Sequence, residues 1–109
     1  TMKFIDYRNK ELFIENVNVL DVVKDVKTPF YIYSANKILH QYRLLHNSLQ
    51  LKNSLICYAL KACPNTNIIK LLAEQGAGAD CVSEGEIKRA LIANVKAENI
   101  VFSGVGKTE

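Results

Sequence analysis

Lys61 is the residue whose type and setting in this sequence most directly suggest chemistry. It lies in the short apolar run LICYALKAC, residues 55–63, which is followed at once by Pro64-Asn65-Thr66. A run of this length bounded by proline and asparagine is typical of a strand buried on both faces, with Lys61 as its last residue. An ammonium in apolar surroundings must find a partner, lose its proton or react, and a neutral amine can attack a carbonyl to form a Schiff base. Taken alone, the run favours the simpler interpretation that Lys61 leaves the sheet and extends to water.

Asp80 is the second residue with a setting that asks for an explanation. It lies in the short apolar run Ala79-Asp80-Cys81-Val82, where a lone carboxylate is unfavourable unless it is paired. If this run is a strand beside the one that ends at Lys61, the two charges approach each other at the carboxyl edge of the sheet. A structural ion pair is one interpretation. Because parallel α/β folds bind ligands at that edge, the pair is also a candidate functional site.

Two glycine-containing patterns are similar to nucleotide-binding loops but lack residues that those loops require. Gly106-Lys107-Thr108 ends like a phosphate-binding loop, yet the first glycine of that motif would fall at Val101, inside a predicted strand. Gly76 and Gly78 begin a G-x-G-x-x-G pattern whose third glycine would be Cys81, and the pair precedes a strand instead of following one. We therefore expect neither a nucleoside triphosphate site nor a dinucleotide site.

The composition is that of an ordinary soluble chain. At 109 residues there is room for one domain or a piece of one, and 49% hydrophobic with 23% charged residues argues against disorder. The net charge of +3 is mild and the basic residues are scattered, which disfavours nucleic-acid binding. The apolar runs are too short to cross a bilayer, and the first ten residues contain no apolar secretion segment. We expect no membrane association.

The cysteines and histidines predict neither a metal site nor a disulfide framework. Cys57, Cys63 and Cys81 are an odd number and have no C-x-x-C spacing. Cys57 and Cys81 lie in apolar runs, where a free cysteine behaves as a small hydrophobic residue. His40 and His46 fall on one predicted helix but not on the same face of it. A reducing cytoplasm is the expected location.

The elements that must position Lys61 and Asp80 alternate between short apolar strands and amphipathic helices. The predicted strands are residues 30–33, the run that ends at Lys61, residues 79–82 and residues 100–102. The predicted helices begin at polar capping residues, namely Ser34, Asn65 or Thr66, and Ser83 with Glu86 at capping-box spacing. This order of four strands and three helices predicts right-handed crossovers and a parallel sheet. An open doubly wound sheet fits, and so does a (β/α) barrel, which needs about eight strands and roughly 250 residues and would be unfinished at Glu109.

The chain is expected to divide near residue 28. Residues 1–27 form an N-terminal segment, in which residues 3–20 predict one or two short strands and residues 20–26 a short helix. Residues 28–109 form the incomplete barrel. Within it, we expect the first helix to reach about Leu49 and the second to be ended by Gly76 and Gly78.

Three blocks of sequence resemble a known family. They are YALKAC at 58–63, GAGADCVSEGE at 76–86 and VFSGVGKT at 101–108, and TPFYIYS at 28–34 also fits. Together they resemble the N-terminal third of the diaminopimelate decarboxylase family. They are similar, more loosely, to the ornithine and arginine decarboxylases of the same pyridoxal-phosphate fold type. The SGVGKT block favours the diaminopimelate branch.

The resemblance implies an alanine-racemase-like (β/α)8 barrel with a separate β domain, acting as a homodimer with pyridoxal phosphate. Lys61 matches the lysine that holds this cofactor covalently, and Asp80 matches an aspartate that lies near the lysine and the cofactor. Glu86 matches a family glutamate, although its capping position already accounts for it. The implied activity is decarboxylation of the small amino acid meso-diaminopimelate to L-lysine in the cytoplasm. The alternatives are an ornithine or arginine decarboxylase, a racemase, or the non-catalytic remnant of a truncated gene.

Two departures from the family pattern carry expectations of their own. The family usually has asparagine where this chain has Cys63, and a thiol cannot supply the paired donor and acceptor of an amide. We therefore expect the local support of Lys61 to differ. The phosphate clamp, the acid beside the pyridine nitrogen and the substrate arginine of such enzymes lie further along the chain. We expect these 109 residues to be an N-terminal fragment without activity of its own.

Overall fold

The computed structural model describes residues 3–50 and 52–105 of the chain. The chain divides into two units, Thr1–Gln41 and Tyr42–Glu109. Helix α2 (Ala35–Leu49) contains the point of division. Its start is the predicted one, since the Ser34 hydroxyl accepts a hydrogen bond from the Lys37 amide at 3.0 Å. Leu49 is its last residue, as expected.

The first unit begins with an antiparallel sheet of three strands in the order β1-β2-β3. They are β1 (Ile5–Arg8), β2 (Glu11–Ile14) and β3 (Val17–Asn18), where one or two had been expected. The turn between β1 and β2 has Asn9 and Lys10 at φ 51° and 66°. Two left-handed residues are what a tight two-residue hairpin turn requires. All three strands lie within residues 3–20, where strands were predicted, and only their number differs; β3 is two residues long and pairs with β2.

The prediction for residues 20–33 is half correct. Helix α1 (Val19–Asp25) lies within one residue of the predicted range and is capped by the Asn18 side chain, which accepts from the Leu20 amide at 2.9 Å. The predicted strand at residues 30–33 is wrong, since none of these residues is in a strand and Tyr31 is 89% exposed. Aromatic and β-branched residues favour extended backbone, but a strand exists only where a ladder partner is present.

The second unit contains a parallel sheet with the order β4-β5-β6. Its strands are β4 (Cys57–Ala59), β5 (Gly78–Cys81) and β6 (Ile100–Phe102). The connections are α3 (Thr66–Glu74) and then α4 (Glu84–Ile92), which is followed by a short 3-10 turn at Ala97–Asn99. The parallel β/α alternation is confirmed. The part of the chain that the structure describes holds three strands of this sheet instead of four.

The helix ends follow local sequence closely. Asn65 caps α3 by accepting from the Asn67 amide at 2.9 Å, and Ser83 caps α4 by accepting from the Glu86 amide at 3.1 Å. Gly76 follows the end of α3 with φ 96°, as predicted, but Gly78 is already the first residue of β5. A Cβ on Gly78 would lie 2.4 Å from the Asn99 carbonyl oxygen, so this close approach of two backbones requires glycine.

One face of the parallel sheet carries the core of the second unit. Ala79 and Cys81 of β5 are fully buried in a cluster that includes residues of α3 and α4. The members of this core are Leu60, Ile69, Ala79, Cys81, Ala90, Ala93 and Val95. Strand side chains alternate, so Asp80 and its ladder partners Ala59 and Val101 point to the opposite face. We call that opposite face the open face; it includes Cys57 of β4 and Ser103, which directly follows β6 and bonds to Asp80.

Candidate functional site

Lys61 lies in a turn after β4 and is not the strand's last residue as predicted. The strand ends at Ala59, and the Ala62 amide donates to the Ala59 carbonyl at 3.1 Å to close the turn. Leu60 is the buried residue of this turn, while Lys61 is exposed. The run is apolar beyond the strand because Leu60 packs into the core, which is why composition alone placed the strand end two residues too late.

The structure also corrects the prediction that this strand, β4, is buried on both faces. All three residues of β4 are only half-buried, because the core covers one face of the sheet. Among residues 3–50 and 52–105, Lys61 makes no ion pair or hydrogen bond. The structural ion pair with Asp80, one of the two interpretations of these residues, is therefore not formed.

Asp80 finds its partner in Ser103, a residue that sequence reasoning did not select. The Ser103 hydroxyl donates to Asp80 Oδ1 at 2.6 Å, the short distance typical of an O–H donor on a carboxylate. Asp80 is half-buried on the open face, directly opposite Ala59 in the ladder. The only signal for Ser103 in the sequence was its place as the first residue after β6, at the start of the SGVGKT block.

The backbone around Ser103 holds that hydroxyl in place. The Ser103 amide donates to the Cys81 carbonyl at 3.0 Å, extending the pairing of β5 and β6 by one residue. A Cβ on Gly104 would lie 2.4 Å from the Val82 carbonyl oxygen, so the chain after β6 runs too close to its neighbour for any larger residue. Ser103 is therefore placed by the sheet and not by a mobile loop tip.

Cys57 shares the open face with Asp80 but is a poor nucleophile. Burial raises the pKa of the Cys57 thiol, and the nearby Asp80 carboxylate raises it further. The pKa of Cys81 is raised as well, first by burial and then by the charges of Glu86 and Asp80. Thiolates carry out the chemistry of cysteine, so both residues remain neutral thiols at neutral pH. The prediction that they serve as small hydrophobic residues agrees with this setting.

The turn that carries Lys61 is tied to two other elements. The Tyr58 hydroxyl donates to the Cys63 carbonyl at 2.9 Å, and Arg89 of α4 donates to the Pro64 carbonyl at 3.1 Å. Neither Tyr58 nor Arg89 was selected from the sequence. Both bonds end on main-chain oxygens, so they do not depend on which side chain stands at position 63.

Glu86 has the structural role expected of it, with a small change of partner. Its carboxylate accepts from the Val82 amide at 2.9 Å instead of from the Ser83 amide of a standard capping box.

The two histidines lie against aromatic rings: the His40 and Phe4 ring centroids are 5.6 Å apart, and those of His46 and Tyr42 are 5.9 Å apart. In the described ranges there is no group of three or more metal-ligating side chains. No helix within those ranges has the length and apolar character needed to span a membrane.

This chain is similar in sequence to proteins of known name. Diaminopimelate decarboxylase of Aquifex aeolicus is 44% identical over 106 residues, which is 97% of this chain and 25% of the relative. The Helicobacter pylori enzyme of the same name is 50% identical over 91 residues, which is 84% of this chain and 22% of the relative. The chain thus spans about a quarter of the length of these curated relatives.

Solved structures give the same picture. A crystal structure of an Aquifex aeolicus protein matches with a TM-score of 0.88 and 44% identity, covering 96% of this chain and 26% of that one. Helicobacter pylori diaminopimelate decarboxylase complexed with L-lysine matches with a TM-score of 0.77 and 49% identity, covering 84% and 23%. These likenesses, with the β/α order of the second unit, confirm the predicted α/β fold class, part of a (β/α)8 barrel.

The family assignment rests on the larger part of the chain. Residues 35–109 match the family model described as pyridoxal-dependent decarboxylase, pyridoxal binding domain. That range includes Lys61 in the loop after β4, Asp80 on the open face, and Ser103 directly after β6. The chain belongs to the pyridoxal-dependent decarboxylase family, whose cofactor is pyridoxal phosphate.

Proposed function

We propose that this chain is the lysine-bearing part of a pyridoxal-phosphate-dependent decarboxylase that converts meso-diaminopimelate to L-lysine. The observation that carries the proposal is Lys61 itself. It is an exposed primary amine without an ion pair among the described residues, at the carboxyl edge of a parallel strand. Relatives at 44% and 50% identity bear the name diaminopimelate decarboxylase.

The donor set on this side of the sheet suits the cofactor. Pyridoxal phosphate, when bound, supplies an aldehyde that combines with amines and a ring that withdraws the electrons left by the loss of CO₂. Lys61 Nζ is the primary amine that such an aldehyde requires, and Asp80, on the strand paired with β4, supplies a carboxylate on the open face. Burial and the Asp80 carboxylate raise the pKa of the Cys57 thiol on this face, which disfavours its reactive thiolate form.

Each residue has a separate task in this proposal. Lys61 Nζ holds the cofactor and, once it is released, can move a proton to or from the reacting carbon. Asp80 places a negative charge at the cofactor, and the hydrogen bond from Ser103 keeps that carboxylate in one orientation. Orientation matters because a group held in its reacting geometry lowers the entropy lost in the transition state.

The whole protein around this chain is proposed by analogy with its relatives. We place residues 1–27 in an N-terminal segment and residues 28–109 in the barrel, with the remaining barrel and a β domain supplied by further chain. We propose a homodimer in the cytoplasm with a small amino acid as substrate. A relative's structure is complexed with L-lysine, which supports a substrate of that size and chemistry.

The test is chemical trapping followed by assay of the gene product that contains these residues. Borohydride reduction in the presence of pyridoxal phosphate, with peptide mass mapping, should label Lys61. The Lys61→Arg variant should lose both the label and the release of CO₂ from meso-diaminopimelate. Lys70→Arg is the matched control, because Lys70 is an exposed lysine of α3, and it should keep both.

Three results would argue against the proposal in different ways. Label spread over many lysines would remove Lys61 from the reaction. Release of CO₂ from ornithine or arginine, but not from meso-diaminopimelate, would favour the related decarboxylases. Absence of CO₂ release from all three, with no label, would leave a non-catalytic protein.

A further inference from the structure

The loop that carries Lys61, residues 60–65, joins β4 to α3 and is named here the lysine loop. Two consecutive carbonyls of this loop are held by side chains from other elements. Tyr58 donates its hydroxyl to the Cys63 oxygen at 2.9 Å, and Arg89 donates Nη1 to the Pro64 oxygen at 3.1 Å. Arg89 lies 25 residues further along the chain, on α4.

Both anchors are attached to well-packed elements. The Tyr58 ring is partly buried and packs against the core of the second unit, so its hydroxyl has little freedom. Arg89 lies on α4, which places Ala90 in the same core at 0% exposure. The lysine loop is thus fixed from the sheet on one side and from a helix on the other.

The loop needs such anchors because its own backbone supplies few. Pro64 has no N–H group and cannot donate a hydrogen bond. Asn65 is already used as the cap of α3, where its side chain accepts from the Asn67 amide. The Cys63 thiol is a weak donor and a weak acceptor, so it cannot form the paired hydrogen bonds of an amide.

We propose that Tyr58 and Arg89 are positioning residues that fix the lysine loop and thereby direct the Lys61 amine toward the cofactor. This inference rests on the function proposed above for Lys61. The two hydrogen bonds hold main-chain oxygens of the loop, so they act independently of the side chain at position 63. A surface hydrogen bond without this role would affect stability alone, and would leave the rate of cofactor uptake unchanged.

The variants remove one hydrogen bond each. Tyr58→Phe deletes only the hydroxyl and keeps the ring in the core. Arg89→Met keeps the unbranched stem without the guanidinium, and Arg89→Lys restores a cationic donor. Arg43→Met is the matched control, because Arg43 is also exposed on a helix and donates to the Gln75 side chain at 3.5 Å, away from the lysine loop.

The first measurement is backbone hydrogen exchange of the cofactor-free gene product. Tyr58→Phe and Arg89→Met should each speed exchange of the amides in the lysine loop by about 3- to 10-fold, because local opening becomes easier. The hairpin of β1 and β2 and the Arg43→Met protein should exchange at the wild-type rate. Unchanged exchange in the lysine loop of both variants would overturn the proposal.

The second measurement is the rate at which Lys61 takes up pyridoxal phosphate, followed by absorbance and by borohydride trapping. Both variants should slow uptake by about 3- to 10-fold and lower kcat with little change in KM, since a misplaced amine reacts less often. Arg89→Lys should recover part of the rate. Label at Lys61 with wild-type uptake in both variants would overturn the positioning role alone. If the wild-type protein is labelled on a lysine other than Lys61, the proposed function is wrong, and the positioning role with it.

Discussion

At the scale of single residues, the open face pairs groups that sequence reasoning had not paired. An ion pair between Lys61 and Asp80 was one of two interpretations of the sequence, but Asp80 instead accepts a hydrogen bond from Ser103 at 2.6 Å. Among the described residues, the Lys61 amine makes no ion pair. Under the function proposed for Lys61, an amine outside an ion pair can react without first breaking one.

The pH dependence of Cys57 alkylation reports the charge of the nearby Asp80 carboxylate. Burial and the Asp80 carboxylate both raise the pKa of the Cys57 thiol. Asp80→Asn removes the negative charge, so the pKa of Cys57 should fall and its thiolate fraction at a given alkaline pH should rise. We expect faster alkylation of Cys57 in the cofactor-free protein, with the pH–rate curve displaced to lower pH. The measurement is the alkylation rate by peptide mass spectrometry from pH 7 to 10.

The control for this experiment is Asp25→Asn, the same chemical change at the end of α1 in the first unit. It should leave the Cys57 curve in place. An unchanged curve in the Asp80→Asn protein would mean that burial alone raises the pKa of this thiol.

At the scale of elements, the loops after β4 and β6 are held by features outside their own sequence. The lysine loop depends on Tyr58 and Arg89, and the loop after β6 depends on a close backbone approach at Gly104. Both loops follow the carboxyl ends of parallel strands, where α/β folds place their ligands. Rigid loops at this edge suit a site that must hold a cofactor in one orientation.

Gly104 provides a test of that rigidity. A Cβ added there would lie 2.4 Å from the Val82 oxygen and 3.0 Å from its carbonyl carbon, both backbone atoms that cannot swing away. Gly104→Ala should therefore lower the free energy of unfolding by about 1–3 kcal/mol, measured by urea denaturation. It should also displace the neighbouring Ser103 and reduce kcat.

Gly85→Ala is the matched comparison for this substitution. Gly85 lies in α4, and its added Cβ would meet only the Ser83 hydroxyl at 3.9 Å. Alanine in a helix is favoured over glycine by roughly 0.5–1 kcal/mol, so this variant should be unchanged or more stable. If the two substitutions change the free energy of unfolding equally, the backbone near Gly104 must shift at little cost to accept a Cβ.

At the scale of the whole molecule, the parallel sheet has two strands with unpaired outer edges among the described elements, β4 and β6. Its open face carries Val101 at 50% exposure. Unpaired edges and exposed apolar side chains favour association with further chain. The curated relatives, four times as long as the stretch they share with this chain, have the length to supply it.

The 109 residues produced on their own should therefore self-associate and release no CO₂ from meso-diaminopimelate. The reason is that the edges of β4 and β6 and the open face would find partners in other copies. Analytical ultracentrifugation across a range of concentrations, with a CO₂ assay on the same samples, checks both parts. A monodisperse monomer that releases CO₂ would contradict this view of the sheet.

Sequence reasoning was most accurate where the physical cause is local. The caps at Ser34 and Ser83 were identified from residue type and spacing, and Asn65 was one of two candidates, because a capping side chain bonds to an amide two or three residues away. It failed at residues 30–33, where strand propensity was present without a ladder partner. It also placed the end of β4 too late, because apolar composition does not distinguish a strand residue from a buried turn residue such as Leu60.

The sequence by itself determined the family, the β/α order and the identity of Lys61 and Asp80 as the residues to examine, since these follow from short blocks and local patterns. Only the tertiary structure decided which groups meet. Ser103 reaches Asp80 across 23 residues and Arg89 reaches Pro64 across 25. Contacts over such separations are set by strand register and helix packing, which depend on the whole core at once and leave no periodic trace in the chain.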